Sequence, residues 1–503
     1  MTKKSSRQPG LLLALLPILV LVGLLSLNVA FYGDMATSGP NQIALIISAA
    51  VASIIGIYHG HALHDLLKGA IDSITASMSA ILILLLIGAL AGTWLISGIV
   101  PAMIFYGLKV LNPSIFLFAS VVVCCVVSLA TGSSWSTVAT VGIALLGIGK
   151  AFNVHEGLIA GAIISGAYFG DKISPMSDTT NLAPAMAGTD LFTHIRYMMY
   201  TTVPSITLTL LIFFGIGLFS NQSNLAGDTE ALSAAISSKF NISSFLFIVP
   251  AIVIWMIIKK VSAIPALLLG SILGGVFAMI FQPQIIHEIS GVTGSFLKQS
   301  YVAITNAMAG GVAIKTDNEI ASGLLKSKGM YGMLNTIWLI VAALSFGGIM
   351  EEAGLLKRIT KPLVKKASST GGLVGTTAAS CVFVNLTASD QYLSIVVPGK
   401  MFTKTFKERG LAPQNLSRTL EDSGTVTSVL VPWNTCGATQ SAVLGVSTFV
   451  YAPFCFFNII SPFMTVLFAS VGIKIAKLTE KDMHPTRPVN VEDKLEEITL
   501  GED

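Results

Sequence analysis

The sequence predicts an all-α polytopic membrane protein of about 12 to 14 transmembrane or re-entrant helices, in two inverted-topology repeats with discontinuous helices. Three observations predict it. Of 503 residues, 53% are hydrophobic and 11% are charged, against about 25% charged in a soluble protein. The apolar residues fall in blocks long enough to cross a bilayer, which takes about 20 residues at about 1.5 Å each. The two halves also match at a constant offset of 256: Gly92 and Gly98 fall on Gly348 and Gly354, and Leu129–Ser133 falls on Asn385–Ser389. Seven apolar blocks separate equivalent helices, and an odd number inserts the halves with opposite topology.

Taken in order, residues 1–10 carry Lys3, Lys4 and Arg7 as a cytoplasmic tail. The apolar block 11–31 is long for a signal peptide and Asn28-Val29-Ala30 is a poor cleavage site, so it reads as an uncleaved first helix. The first membrane repeat spans 11–220, with further apolar blocks at 42–58, 74–98, 114–130, 134–149, 156–170 and 198–219. A polar connection, 221–242, leads to the second repeat, 243–473, with blocks at 244–258, 263–281, 334–350, 371–386, 391–402, 416–433 and 448–472. The stretches 220–242 and 283–330 and the charged tail 474–503 read as solvated and partly disordered.

Blocks after Thr131, Pro175, Thr387 and Pro432 are too short or too rich in Gly, Pro, Ser and Thr for lipid-facing helices. Such breaks survive at membrane depth only where the freed backbone is buried or lines a watery cavity. If 114–149 and 371–402 are re-entrant hairpins, two crossings vanish from each half and the sidedness is unchanged. Lys and Arg in short loops mark the cytoplasmic side. The N-terminal cations, Lys259-Lys260, Lys357 to Lys366, Lys400 to Arg409 and Lys474 to Lys477 then place both termini inside.

The net charge of +4, with no basic aromatic-laced face, argues against nucleic acid as a partner. Cys124, Cys125, Cys381, Cys436 and Cys455 lie in apolar stretches without CxxC spacing, and read as buried inert thiols rather than a zinc site or disulfides. No GxxxxGK[ST] loop is present, which argues against direct ATP coupling, and no cofactor is expected. His59, His61 and His64 beside Asp65 read as an interfacial amphipathic segment or a pH-sensing loop rather than a metal site, His194 as a surface residue near a cytoplasmic end or a contributor to pH response, and Glu351 and Glu352 as partners of the cationic loop that follows them.

The stretch Gly170-Asp171-Lys172-Ile173-Ser174-Pro175-Met176-Ser177-Asp178-Thr179-Thr180-Asn181-Leu182-Ala183-Pro184 carries the chemistry. Pro175 lacks a backbone donor and clashes with the preceding turn, so the helix ends or kinks there. Beyond the break, carbonyls, hydroxyls and two carboxylates become available together. A small alkali cation is hard and takes oxygen ligands, which Asp171, Asp178, Ser174, Ser177, Thr179 and Asn181 supply. Desolvation raises a carboxylate pKa from about 4 towards neutral, so protons compete for the same oxygens. A group that binds a proton or a cation, but not both, couples their movements. A lone loop Asp would merely pair with Lys172 or cap a helix; two within eight residues at a Pro-broken apolar helix ask for more.

In the second half, Glu421-Asp422-Ser423-Gly424-Thr425 precedes Pro432-Trp433-Asn434-Thr435-Cys436-Gly437. Asp422 is preferred over Glu421, which is read as facing water or Arg418, and Asn434 with Thr435 resembles Thr180-Asn181 in composition. Two more polar patches complete the candidate site: Thr131-Gly132-Ser133-Ser134-Trp135-Ser136-Thr137, and Asn385-Leu386-Thr387-Ala388-Ser389-Asp390-Gln391. The ion-binding and coupling candidates are therefore Asp171, Asp178, Asn181, Asp390, Asp422 and Asn434 with Thr131, Ser133, Ser134, Thr387 and Ser389, and sodium is assigned to Asp171 and Asp178.

Where Gly170–Pro184 joins Ala-Gly-Thr-Asp-Leu-Phe-Thr-His-Ile-Arg and follows Thr-Gly-Ser-Ser-Trp-Ser-Thr, the sequence resembles the NhaC family of sodium/proton antiporters, within the ion transporter superfamily. The resemblance runs from about residue 10 to residue 475, and Asp171, Asp178 and Asn181 match the first-half motif. It implies exchange of cytoplasmic sodium for external protons at a bacterial inner membrane. Relatives that exchange malate and protons for lactate and sodium belong to the same family, so a small carboxylate is a further candidate partner. Its site would be Thr131 to Ser134 and Thr387 to Ser389 at half-helix N-termini. An ion channel is the alternative from another class; a two-Asp membrane hydrolase lacks a recognisable motif. The reading allows a homo-oligomer.

Overall fold

The computed structural model describes residues 9–32, 35–36, 38–219, 226–259, 261–359 and 369–478. Lys3, Lys4, Arg7, Lys260, Lys361, Lys365 and Lys366, on which part of the sidedness rests, lie outside the described residues, as do 220–225 and the tail beyond 478. Apart from a two-stranded ribbon pairing Val312–Ala313 with Lys326–Ser327, the described elements are helical.

Seven helices among the described residues are long and apolar enough to cross a bilayer: Leu11–Tyr32, Pro40–Tyr58, Met78–Ile96, Pro113–Thr131, Leu191–Phe219, Ala263–Phe281 and Tyr331–Glu352. Two bent pairs, Glu230–Lys239 with Ser244–Ile258 at 88° and Thr448–Phe454 with Phe456–Val471 at 53°, bring the number to nine if each is one span. The remainder of the expected set consists of shorter or more polar helices that meet at breaks. The protein is thus an all-helical, multi-span membrane protein with broken helices.

The breaks have local causes. Phe116–Thr131 stops at Gly132, whose φ of 68° favours glycine. Ser133 then accepts from the Ser136 N–H at 3.2 Å and starts a helix that runs from Ser134 to Ala151 through a π turn at Val138–Gly142. Glu156–Ile173 ends just ahead of Pro175, and Asp178–Ala187 restarts after Ser177. In the second half Thr370–Thr387 ends ahead of Ser389, which holds φ at 58°, a left-handed conformation uncommon outside glycine. Asp390 caps Gln391–Glu408 by accepting from the Leu393 N–H at 3.0 Å. Pro413–Leu420 passes into a π turn at Glu421–Thr425, the chain unwinds, and Asn434 caps Thr435–Leu444 through the Cys436 N–H at 3.0 Å.

These caps refine the internal match. Gly98 and Gly354, both left-handed, keep the offset of 256, whereas Ser133 and Asp390, Ser177 and Asn434, and the terminators Gly188 and Gly445 stand 257 apart. The second turn holds one extra residue, Ala388, so Ser133 corresponds to Asp390 rather than to Ser389. Asn434 accordingly corresponds to Ser177, and Thr435 to Asp178.

Among the described residues, the two connections expected to be solvated are largely folded. Ala226–Lys239 buries Leu232 and Ile236, and Phe240 follows at the same spacing. Residues one turn apart bury a stripe without forming an apolar run, so hydropathy along the sequence does not reveal them. Phe296–Ala309 lies so close to Met78–Ile96 that a Cβ on Gly92 would stand 1.8 Å from the Ala307 carbonyl oxygen. Gly166 and Gly170 likewise let Glu156–Ile173 pack backbone to backbone on Phe116–Thr131, with built Cβ positions 2.4 and 2.5 Å from the carbonyl oxygens of Val121 and Cys125.

Candidate functional site

All four helix restarts open onto one cavity of about 670 Å³. The first half contributes Thr131 to Ser136, Asp171 and Pro175 to Thr179; the second contributes Asp390, Gln391, Tyr392, Thr435 and Cys436. Ser77, Ser79, Ala80 and Ile83 at the start of Met78–Ile96, with Ile257 and Val261 to Ile264, complete the wall. Residues some 260 positions apart therefore share one space because each half delivers two helix starts to it. Unpaired N–H groups at such starts carry partial positive charge, so hydroxyl, amide and carboxylate oxygens there meet a polar rather than an apolar wall.

Asp171 is buried at the cavity and accepts from both the backbone N–H and the hydroxyl of Ser134, at 3.1 and 2.6 Å, joining the break to the turn at Gly132. The corresponding positions in the second half are Gln391 and Ser428, where the Ser428 hydroxyl donates to the Gln391 amide oxygen at 3.5 Å. The cross-link recurs, but the carboxylate does not. Asp178 opens its helix and is exposed at the cavity wall. Asp390 accepts from the Ser77 hydroxyl at 3.3 Å while it caps its own helix, so it serves the fold as well as lining the cavity. Thr131, Ser133 and Ser134 line the cavity too.

The other candidates stand elsewhere. Asn181 donates to the Pro175 and Ser177 carbonyls at 3.0 and 2.7 Å and ties off the break. Thr387 donates back to Phe383, and the Ser389 carbonyl accepts from the Thr435 N–H at 3.0 Å. Asn434 donates to the side-chain oxygen of Asn385 at 3.1 Å. These four hold the turns in place and are not among the lining residues.

Asp422 also lies off the cavity. Its carboxylate, fully buried, is ion-paired with the fully buried Lys172 and accepts from the Thr201 hydroxyl at 2.7 Å, while Lys172 also donates to Ser461 at 2.9 Å. Lys172 is a functional residue that the sequence does not single out: the sequence sets it against its neighbour Asp171, whereas its side chain reaches Asp422 of the other half. The available signal is the lysine itself, since an ammonium inside an apolar helix needs a buried anion. Glu421, read as facing water or Arg418, is instead fully buried and accepts from the Thr179 hydroxyl at 3.1 Å. His194, read as a surface residue, is also fully buried, its ring against the Ser417 hydroxyl at 2.8 Å. In both cases a neighbouring helix covers a face that is polar by composition. Cys436, read as inert, lies on the cavity wall.

The comparisons with known proteins converge on one family. The Na+/H+ antiporter family matches residues 166–473. The chain is 37% identical over 436 residues to the Na(+)/H(+) antiporter NhaC of Alkalihalophilus pseudofirmus, covering 87% of this chain and 91% of that one. It is 35% identical over 435 residues to the malate-2H(+)/Na(+)-lactate antiporter of Bacillus subtilis, covering 86% and 90%. It is 32% identical over 473 residues to the arginine/ornithine antiporter ArcD of Halobacterium salinarum, covering 93% of each chain. With the matched region holding the Pro175 break, the second turn and the Asn434 restart, the chain belongs to the Na+/H+ antiporter family, that of NhaC.

Proposed function

We propose that this protein extrudes cytoplasmic sodium in exchange for external protons across a bacterial inner membrane, with both termini in the cytoplasm. As a member of its family it is a secondary antiporter and not an enzyme. The observation that carries the finer reading is the meeting of Asp171, Asp178 and Asp390 at one cavity between four interrupted helices. A sodium ion would take the Asp171 and Asp178 carboxylates, with hydroxyls of the Thr131 to Ser134 turn completing an all-oxygen shell. Ion and proton exclude one another on the same oxygens, so one site carries each in turn. The breaks give the chain hinges at which the loaded site can pass from one face to the other.

The test is sodium-dependent collapse of an imposed pH gradient in inside-out vesicles. Asp171→Asn and Asp178→Asn are each expected to slow it at least roughly tenfold, since a charged partner contributes about 1.5–3 kcal/mol. Full activity in either correctly inserted variant would remove that residue from coupling. Single-turnover counterflow separates this carrier from a channel, which shows none.

The size of the cavity supports a second reading. About 670 Å³ exceeds what an ion with a few waters fills, at about 30 Å³ per water, and lies in the range of pockets for small organic molecules. Relatives named for malate, lactate, arginine and ornithine suggest the class. A substrate carboxylate would face the starts of Gln391–Glu408 and Thr435–Leu444, rather than Thr387 and Ser389. Adding each of the four compounds to sodium-loaded vesicles decides this: a co-substrate accelerates sodium exit, and a plain sodium/proton exchanger ignores it.

A further inference from the structure

Behind the cavity, two carboxylates are joined by hydroxyls. Ser177 and Asp171 both line the cavity, the Ser177 hydroxyl stands 3.2 Å from that of Thr179, and Thr179 donates to Glu421 at 3.1 Å. Ser177 and Thr179 line the cavity, whereas Glu421 does not and is fully buried. Glu421 opens the π turn Glu421–Thr425, a local widening of the helix that presents its carboxyl group to the other repeat.

We propose that Glu421 is a second proton-binding carboxylate of the exchange site, exchanging its proton with Asp171 through the hydroxyls of Thr179 and Ser177. The proposal rests on the sodium/proton reading above for its consequence in transport, but not for the protonation itself. The step balances without a co-reactant. Glu421 releases a proton to the Thr179 oxygen, Thr179 passes its own to Ser177, Ser177 passes its own to the Asp171 carboxylate, and both hydroxyls end as they began.

The surroundings favour Glu421 over its neighbour for this task. Asp422 is neutralised by Lys172, with Thr201 and Ser461 satisfying the pair. Arg418, one turn earlier, stacks on the Tyr197 ring and donates to the Lys474 carbonyl. His194 is held by Ser417. The helix Thr370–Thr387 brings only Cys381, Gln391–Glu408 keeps its lysines and Glu408 exposed, and Asp178 stays on the cavity side. A cation in the cavity lies across Thr179 from Glu421, in a medium that screens charge far less than water, so its arrival favours loss of the Glu421 proton. Asp171, on the cavity wall, gives each proton up to the water of the cavity before sodium takes its oxygens, so sodium loading would then expel protons from two carboxylates.

The experiment uses the full chain in liposomes. Infrared titration is expected to show a protonated-carboxyl stretching band that disappears on alkalinisation and is lost in Glu421→Gln. The same variant should lower the number of protons exchanged per sodium by about one and weaken the dependence on membrane voltage. Thr179→Val should slow titration of that band roughly tenfold or more, as removal of a proton-transfer group does, and Thr179→Ser should restore it. A Glu421→Gln spectrum that titrates like the wild type overturns the proposal, even if sodium/proton exchange is confirmed. If sodium has no effect on the wild type while the Glu421 band is still lost, the sodium reading fails and the proton site stands. Should Glu421→Gln fail to insert, the Thr179 pair read on the native carboxylate decides alone.

Discussion

Lys172 and Asp422 show most directly how a side chain's meaning depends on what surrounds it. Both are fully buried, they come from different repeats, and each has further polar partners. Removing one member of such a pair leaves an uncompensated charge, at a loss of about 3–5 kcal/mol, whereas replacing both with apolar residues of similar size is often nearly neutral. Asp422→Asn is therefore expected to lower the thermal unfolding midpoint sharply, and Lys172→Met with Asp422→Leu to recover most of it, as read by detergent-solubilised melting. A Asp422→Asn protein that melts like the wild type but has lost sodium affinity would return Asp422 to the ion-binding group. Asp171 differs because its partners are a hydroxyl and an N–H, and it retains access to the cavity. In sequence the two aspartates looked alike: each an acid in a polar stretch after an apolar block.

At the scale of elements, the positions of the breaks were legible because their causes are local: Pro175, Gly132, and capping residues at Ser133, Asp390 and Asn434. The extra residue Ala388 was not, because a one-residue insertion in a turn leaves composition and hydropathy unchanged. Nor was the close approach of Glu156–Ile173 to Phe116–Thr131, which depends on Gly166 and Gly170 meeting the Val121 and Cys125 carbonyls. Overpacking a tight contact costs about 1–3 kcal/mol, and here it would also displace Ser134 from Asp171. Gly170→Val is expected to reduce sodium-driven exchange by more than roughly tenfold and to lower stability by about that amount. Gly188→Ala, where a Cβ meets nothing within 4 Å and only the left-handed φ of 84° resists, is expected to cost stability alone. Paired measurements of melting and exchange in the two variants separate the effects.

For the whole molecule, low charge, long apolar blocks and a repeated pattern already determined a multi-span membrane protein of two related halves with helices broken at matching places. These features follow from solvent and backbone: lipid demands apolar surfaces, and an interrupted helix must hide its freed polar groups. Which acids share a cavity was decided only by the tertiary structure. Asp171, Asp178 and Asp390 face one space, Asp422 is turned to Lys172, and Glu421 is sealed behind Thr179, although all five lie in polar stretches at or near helix breaks. The reason is physical: a carboxylate in the membrane must be matched by water, an ion, a donor or a cation, and sequence spacing does not say which helix of the other half will supply it.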